Sequence, residues 1–139
     1  MIHYHHQTEF LLSDQGLYSN WLQAVIQKEG KVLGELNFIF LSDEALLQMN
    51  KEYLNHDYFT DIITFDYCDG DLVSGDLFIS VDRVADNAKK YHSEFLEELK
   101  RVMVHGVLHL IGYGDKHEDD QLIMRHKEDL YIKMFHVEH

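Results

Sequence analysis

The chain has 139 residues, of which 45% are hydrophobic and 27% charged, a length and composition typical of one globular domain that exclude a mainly disordered chain. Its net charge of −13 excludes broad, non-specific binding to nucleic acids or anionic membranes, although a local basic patch remains possible. The single cysteine, Cys68, excludes an intrachain disulfide, and no apolar run approaches the roughly 20 residues that span a bilayer, so we expect a cytoplasmic protein without membrane contact.

The first half of the chain predicts an alternation of strands and helices. Tyr4 lies in a short first strand, and Ser13–Gly30 has the apolar spacing of an amphipathic helix that ends at a glycine. Glu35–Leu41 alternates at first and then becomes continuously apolar, which is typical of a central strand. Ser42–Tyr53 is a helix whose first residue is its predicted cap, and a loop follows at residues 55–57.

A hairpin is predicted in the middle of the chain. Ile62–Tyr67 is β-branched and aromatic, and the turn residues that follow it favour a return strand over Leu72–Ser80. Gly75 inside this second strand indicates a bulge or a close approach of another backbone.

Three helices complete the predicted elements. Asp82–Tyr91 has a polar face, and Asp119–Phe135 is amphipathic. Between them, Ser93 is the predicted cap of a helix that continues to Ile111, and the second half of this helix is apolar on nearly every side, as in buried helices. We therefore expect an α+β fold in a single domain, residues 1–139, with a mixed sheet of about four strands and about five helices.

Two histidines in the buried helix indicate a metal site. His105 and His109 are one turn apart on the same face, so their imidazoles can reach one divalent ion. With 11 histidines in the chain, a pair at this spacing is weak evidence alone. Its position in the most apolar part of the chain strengthens it, because an unpartnered imidazole is costly there.

The residues that follow the histidines extend this pattern. Gly112 can turn the chain sharply, and Asp115 comes next, giving the spacing H-x-x-x-H-x-x-G-x-x-D. This resembles the metzincin zinc pattern, with Asp115 as third ligand, and favours a zincin-like arrangement. His117 is the rival third ligand. If both residues bound the ion, the site would have the four protein ligands of a structural metal.

Gly106 occupies the position where zinc proteases carry their general base, a glutamate. This argues against peptide hydrolysis by that mechanism, although an acid from elsewhere in the fold would revive a peptidase. Three ligands and an open position suit catalysis by metal-activated water. The expected cofactor is one divalent metal, with zinc favoured over nickel, iron or manganese.

The same segment resembles the YbeY family of ribosomal-RNA maturation endoribonucleases. The strongest match is residues 105–113, which is similar to the family string H-G-x-L-H-L-x-G-Y. Residues 49–53, 60–65 and 75–80 also resemble family segments in their order and spacing. The resemblance implies a metal-dependent hydrolase that cuts single-stranded RNA in ribosomal RNA maturation and ribosome quality control. It further implies ribosomal RNA or its precursors as partners, with ribosomal proteins as a second class.

Two departures from the family pattern concern the site. The family string closes with a third histidine, where ungapped counting places Asp115 here. The family also commonly has an arginine where this chain has Leu54. Arg101, one turn before His105, is the candidate substrate-binding residue that would contact a phosphate instead. The alternative for Arg101 is a solvated helix end that pairs with Glu97 or Glu98.

No catalytic acid or base can be assigned from the sequence. Asp61 and Asp66 flank the predicted strand Ile62–Tyr67 and are candidates for orienting a ligand or water, although turn roles are commoner. Three aromatic residues near the motifs are candidates for stacking on bases, with core packing the commoner role: Tyr53, Phe59 and Tyr113. The expected function is a metal-dependent endoribonuclease, in which metal-bound water attacks an RNA phosphodiester. The alternatives are a peptidase or other hydrolase at the same site, or a non-catalytic ribosome-associated protein with a structural metal.

Overall fold

A four-stranded mixed sheet and five helices form the part of the chain that the computed structural model describes, residues 1–138. This confirms the predicted α+β class. His139, the last residue of the expected domain, lies outside the described residues. In chain order the elements are β1 (Ile2–His6), α1 (Gln15–Lys28), β2 (Val32–Leu41), α2 (Asp43–Leu54), β3 (Ile62–Asp66), β4 (Leu72–Ser80), α3 (Val81–Lys90), α4 (Phe95–Ile111) and α5 (Glu118–Glu138).

The strand order in the sheet is β1-β2-β4-β3. The pairs β1–β2 and β2–β4 are parallel, whereas β3 returns antiparallel to β4, which confirms the predicted hairpin. Parallel neighbours need long crossovers, and α1 together with the α2–β3 segment supplies them. The topology leaves β3 at one edge of the sheet.

Apolar side chains cover both faces of the sheet. One face packs mainly against α1 and α4, in the larger core cluster. The opposite face packs against α2, in a smaller cluster. The larger cluster includes Trp21, Leu22, Phe38, Phe40, Leu77, Ile79, Leu99 and Met103, and the smaller one Ile39, Leu41, Leu46 and Ile63. Burial on both faces is why β2 becomes continuously apolar towards its end.

Helix α4 lies unusually close to the strands β3 and β4. A Cβ atom built at Gly106 would be only 2.6 Å from Cδ1 of Ile62 and 2.6 Å from Cδ2 of Leu77. Any larger residue would therefore force these two methyl groups to shift, so glycine favours the close approach that sets the histidines of α4 beside the edge strand. Gly106 thus has a packing role, besides standing at the position where zinc proteases carry a glutamate.

Two helix starts test the predicted caps. Ser42 caps α2 as predicted, accepting a hydrogen bond from the backbone N–H of Ala45 at 3.1 Å. The prediction for Ser93 was wrong, because Glu94 is the residue that precedes α4. The N–H of Ser93 instead donates to the carbonyl of Ala88 and so belongs to the end of α3.

Strand β2 begins at Val32, three residues earlier than the pattern indicates. Val32 and Leu33 pair with β4, but the register shifts before Leu36. This irregularity surrounds Gly34, which interrupts the alternation and so hid the start of the strand from the sequence pattern. None of the helices within residues 1–138 is both long enough and apolar enough to cross a membrane.

Candidate metal centre

The second half of α4 presents both histidines to one point. The ring centroids of His105 and His109 are 4.6 Å apart, with the ring planes at 83°. Gly112 ends the helix with φ of 126°, a conformation that favours glycine, and the chain then turns back. This turn brings Asp115 Oδ2 to 3.3 Å from Nε2 of His105 and 3.1 Å from Nε2 of His109.

The spacing of these three donor atoms fits a small divalent ion. Within the described residues they form the one group of His, Cys, Asp or Glu side chains whose donor atoms converge, all lying within 4.8 Å of one another. Two atoms that bind zinc tetrahedrally at about 2.0–2.1 Å are about 3.3 Å apart. The 3.3 and 3.1 Å separations match that geometry. Two imidazoles and one carboxylate are also a chemically suitable ligand set for zinc.

His117 is placed differently from its rival Asp115. Its side chain is exposed and is not part of the converging group. Its backbone carbonyl accepts a hydrogen bond from the N–H of Gln121 at 2.9 Å, in the first turn of α5. The structure therefore brings three of the predicted side chains together, which is the number of protein ligands found in catalytic rather than structural zinc sites.

Glu128 of α5 supports the cluster from behind. Its side chain is only 7% exposed, and Oε2 lies 2.7 Å from Nδ1 of His105. A carboxylate on the second ring nitrogen fixes the orientation of a metal-binding histidine and leaves Nε2 for the ion. Burial raises the pKa of Glu128, but the hydrogen bonds from His105 and Arg101 outweigh it and lower that pKa.

The pKa of His105 shifts in the opposite direction. Burial lowers it, yet the hydrogen bond to Glu128 and the nearby charges of Glu128, Asp61 and Asp115 together raise it. The hydrogen bond between the two side chains thus favours the charged form of each, against the effect of burial. Sequence reasoning missed Glu128. The available signal was an acid on the buried face of α5, spaced with Met124 and Tyr131.

Arg101 lies next to His105, as its spacing predicts, but its guanidinium faces α5. Nη1 donates to Glu128 at 2.8 Å and Nη2 donates to Asp129 at 2.7 Å. The ion-pair alternative for Arg101 named Glu97 and Glu98, which are not the partners seen here. A phosphate contact by Arg101 stays a prediction.

The lysines near Arg101 in the sequence do not reach the cluster. Lys89, Lys90 and Lys100 line neither of the two cavities beside it. Lys100 is buried, donates to Glu97 at 3.0 Å and lies 4.3 Å from the ring centroid of Phe135. These three lysines therefore do not join Arg101 in a phosphate-binding surface around the three ligands.

Two cavities meet at the cluster. The larger, of about 730 Å³, lies towards α5 and includes Arg101 and Glu128 in its lining. The smaller, of about 290 Å³, lies towards the loop between α2 and β3. His105, Asp115 and Asp61 line both, so a bound molecule can approach the cluster from either side.

The two flanking aspartates have different surroundings. Burial raises the pKa of Asp61, and the charge of His105 only partly offsets this. Asp66 instead accepts a hydrogen bond from the N–H of Cys68 at 2.8 Å, which is a turn role. Asp61 is thus the aspartate that borders the candidate site.

The aromatic candidates also separate. Tyr53 and Phe59 are exposed but line neither cavity, and they contact Phe65 and Arg83 respectively. Tyr113 is partly buried and donates from its hydroxyl to Oε1 of Glu29 at 2.5 Å, so it anchors the loop that carries Asp115. Sequence reasoning did not single out two rings that do line the smaller cavity, His56 and Tyr58, because they lie in a loop with no periodic pattern.

Comparison with known proteins gives matches over nearly the whole chain. A sequence model described as endoribonuclease YbeY matches residues 3–136. An endoribonuclease YbeY of Flavobacterium johnsoniae is 54% identical over 138 residues, covering 99% of each chain. That of Flavobacterium psychrophilum is 50% identical over 137 residues, covering 99% of this chain and 98% of the relative.

A solved structure agrees with these sequence matches. The solution structure of a Thermotoga maritima protein superimposes with a TM-score of 0.68 at 27% identity, covering 97% of this chain and 89% of that one. The matched span contains the sheet, α4 with its two histidines and the loop that carries Asp115. The H-G-x-L-H-L-x-G-Y string, the fold around it and the full-length relatives agree, and the chain belongs to the endoribonuclease YbeY family.

Proposed function

We propose that residues 1–139 form a single metal-dependent hydrolase domain that cuts single-stranded RNA during ribosomal RNA maturation and ribosome quality control. The observation that carries this proposal is the convergence of two imidazoles and one carboxylate in a chain of the endoribonuclease YbeY family. Ribosomal RNA or its precursors are the proposed substrates, and the cytoplasm is the proposed location.

His105, His109 and Asp115 are the proposed metal ligands, and zinc is the proposed ion. An ion held there supplies Lewis acidity, which activates water and offsets the negative charge that develops on the phosphodiester. The chain supplies the orientation. Glu128 fixes the ring of His105, and Gly112 permits the turn that returns Asp115 to the histidines.

Arg101 is retained as a proposed phosphate contact. It lines the larger cavity together with His105. Its bond to Glu128 is buried, whereas Asp129 is 58% exposed, so Nη2 can exchange Asp129 for a phosphate oxygen while Nη1 stays on Glu128. An Arg101→Lys variant, which loses the two-pronged donor, should raise KM for RNA with zinc content unchanged.

Ribosomal proteins are the second proposed class of partner. The net charge of −13 opposes long-range capture of RNA but complements the basic surface of a ribosomal protein. Such a partner would bring the acidic chain to its RNA substrate.

The test is cleavage of a labelled single-stranded precursor ribosomal RNA fragment by the zinc-loaded protein. The same protein after chelation, and a His109→Ala variant prepared identically, are the controls. We expect cutting that disappears in both. Equal cutting by His109→Ala would indicate a contaminating nuclease. No cutting by zinc-loaded protein would contradict the proposal, and cutting of a peptide in its place would support the peptidase alternative.

The ligand set is tested by zinc titration against a coloured chelator. We expect Asp115→Ala to lower zinc affinity by at least about 100-fold, because it removes a direct ligand. His117→Ala is the matched control and should bind zinc like the parent protein. The reverse result would make His117 the third ligand.

A further inference from the structure

The smaller cavity connects the metal cluster to a pair of aromatic rings. His105, His109 and Asp115 line this cavity together with His56 and Tyr58 of the loop between α2 and β3. The cavity volume is about 290 Å³. A molecule held at the cluster can therefore extend into this cavity and contact the two rings.

The loop is fixed in place by Asn50 of α2. The side chain of Asn50, in a residue only 1% exposed, donates from Nδ2 to the carbonyl of Tyr58 at 2.9 Å. The carbonyl of Asn50 accepts from the N–H of His56 at 3.0 Å. One buried residue thus holds the backbone at both ends of the His56–Tyr58 segment, which fixes the positions from which the two rings extend.

The two rings form a stacked pair at the surface. Their centroids are 5.1 Å apart, the planes differ by 29°, and Tyr58 Oη lies 3.0 Å from His56 Nδ1. Tyr58 remains 50% exposed, unlike the aromatic residues of the core. A preorganised and exposed pair of rings suits a flat aromatic ligand.

The charges of the cavity point to the same class of ligand. No lysine or arginine is among the described residues that line it, and Leu54 occupies the side near α2. Binding energy in this cavity must therefore come from stacking and hydrogen bonds, not from ion pairs with phosphates. A nucleobase next to the phosphodiester at the cluster meets this requirement.

We propose that His56 and Tyr58 form a binding site for an unpaired nucleobase of the RNA substrate, which rests on the proposed function. A base within a duplex is stacked on both faces and cannot enter, whereas an unpaired base can leave the strand and stack on Tyr58. The site therefore supplies selectivity for single strands without any base-specific contact.

The first test separates binding from chemistry in Tyr58 variants of the zinc-loaded protein. Tyr58→Leu should raise KM for single-stranded RNA about tenfold, the usual effect of losing one base–aromatic stack, with kcat nearly unchanged. Tyr58→Phe keeps the ring and should behave like the parent protein. Tyr67→Leu is the matched control, because Tyr67 is 61% exposed but lines neither cavity.

The decisive test uses RNAs that lack one base at each position around the cut. Removal of the base at one of these positions should raise the KM of the parent protein about tenfold. For Tyr58→Leu, removal of the same base should not raise KM any further. Equal losses in the two proteins, or a Tyr58→Leu variant with unchanged KM, would overturn the nucleobase site.

A cleavage-independent measurement keeps this site separate from the proposed nuclease activity. Fluorescence anisotropy measures the affinity of the same RNAs for protein from which a chelator has removed the metal. Removal of the base should weaken binding by the parent protein but should not weaken binding by Tyr58→Leu any further. If the zinc-loaded protein cuts no RNA but anisotropy shows the pattern, the nuclease proposal fails and the base site stands. If anisotropy shows no dependence on Tyr58, the base site fails whatever the cleavage result.

Discussion

At the scale of single residues, Glu128 links the candidate metal centre to Arg101. Its two oxygens contact His105 Nδ1 at 2.7 Å and Arg101 Nη1 at 2.8 Å. Because the carboxylate is buried, neither neighbour can replace this contact with water at no cost. The orientation of His105 therefore depends on a side chain that is not itself a proposed ligand.

Replacement of Glu128 by glutamine should weaken zinc binding without abolishing it. An amide can still fill the space, but it no longer offers two anionic oxygens to His105 and Arg101. We expect Glu128→Gln to lower zinc affinity by about 10- to 100-fold, the usual effect of removing such a supporting carboxylate. Competition with a coloured chelator measures this affinity.

The matched control for this variant is Asp129→Asn. Asp129 is the neighbouring acid and also accepts a hydrogen bond from Arg101, but not from His105. Its zinc affinity should equal that of the parent protein. A similar loss in both variants would mean that the charge of α5, and not the contact to His105, supports the ion.

The residues of the site differ in how far the sequence predicts them. The ligand trio lies within an 11-residue string, so helical spacing and one turn bring it together. Glu128 is 23 positions from His105 and His56 is 49 positions from it, so their proximity depends on how α5 and α2 pack. Spacing rules describe neighbours within one element, and they carry no information about such contacts.

At the scale of elements, Gly75 lets β4 pack between β3 and α4. A Cβ atom at this position would lie 2.5 Å from the backbone oxygen of Phe65 and 3.0 Å from Cδ1 of Leu110. A backbone oxygen of a paired strand cannot move aside. The close approach that the sequence indicates for Gly75 is therefore present.

A Gly75→Ala substitution should destabilise the fold by about 2 kcal/mol, since overpacking of a buried site usually costs about 1–3 kcal/mol. Urea denaturation followed by circular dichroism measures the free energy of unfolding. Gly16→Ala is the control, because nothing lies within 4 Å of its added Cβ in α1. It should be neutral or stabilise by up to about 1 kcal/mol. Equal effects would argue against the steric explanation.

Glu29, just after α1, joins that helix to α5 and to the loop before Asp115. Its carboxylate accepts hydrogen bonds from Tyr113, Tyr131 and Lys127. Burial raises its pKa, but the three donors together outweigh burial, and the pKa lies below its ordinary value of 4.5. The stability that this shift contributes is present above pH 4.5 and is lost as the pH falls through the lowered pKa.

Glu29→Gln should therefore lower the free energy of unfolding by about 2 kcal/mol at neutral pH. The difference from the parent protein should shrink as the pH falls below 4.5, because the parent carboxylate then becomes protonated. Urea denaturation at several pH values measures both quantities. Glu35→Gln, at a residue whose side chain is 68% exposed, should show no such pH dependence. A difference that grows in acid would contradict the assigned shift.

The sequence predicts the elements better than their ends. Long periodic segments such as α1 and α4 appear where they are expected, because burial of one face decides them. The predicted cap at Ser93 was wrong because the N–H of Ser93 is hydrogen-bonded to the last turn of α3. The start of β2 was missed because Gly34 breaks the alternation of apolar and polar residues. Such boundaries depend on pairing with distant segments.

At the scale of the whole molecule, the charge of −13 should govern how the protein meets RNA. Both partners are negative, so they repel at long range, and salt screens this repulsion. Raising ionic strength from about 0.01 M to about 0.1 M shortens the Debye length from about 30 Å to about 10 Å. We expect kcat/KM for RNA cleavage to rise over this range.

Steady-state cleavage at several salt concentrations measures this dependence, with zinc content checked at each. Basic nucleic-acid-binding proteins behave oppositely, since salt competes with their many phosphate contacts. A steep fall of kcat/KM with salt would show that local cations such as Arg101 dominate association. An unchanged value would indicate that global charge has no part in it.

The close contact at Gly106 also separates this protein from zinc proteases in evolutionary terms. In those enzymes the corresponding residue is a glutamate, yet here even one added carbon would collide with Ile62 and Leu77. A glutamate at this position would therefore need both methyl groups to shift and the neighbouring side chains to repack. The route from this scaffold to a zinc protease thus involves accommodation in the core as well as the gain of a carboxylate.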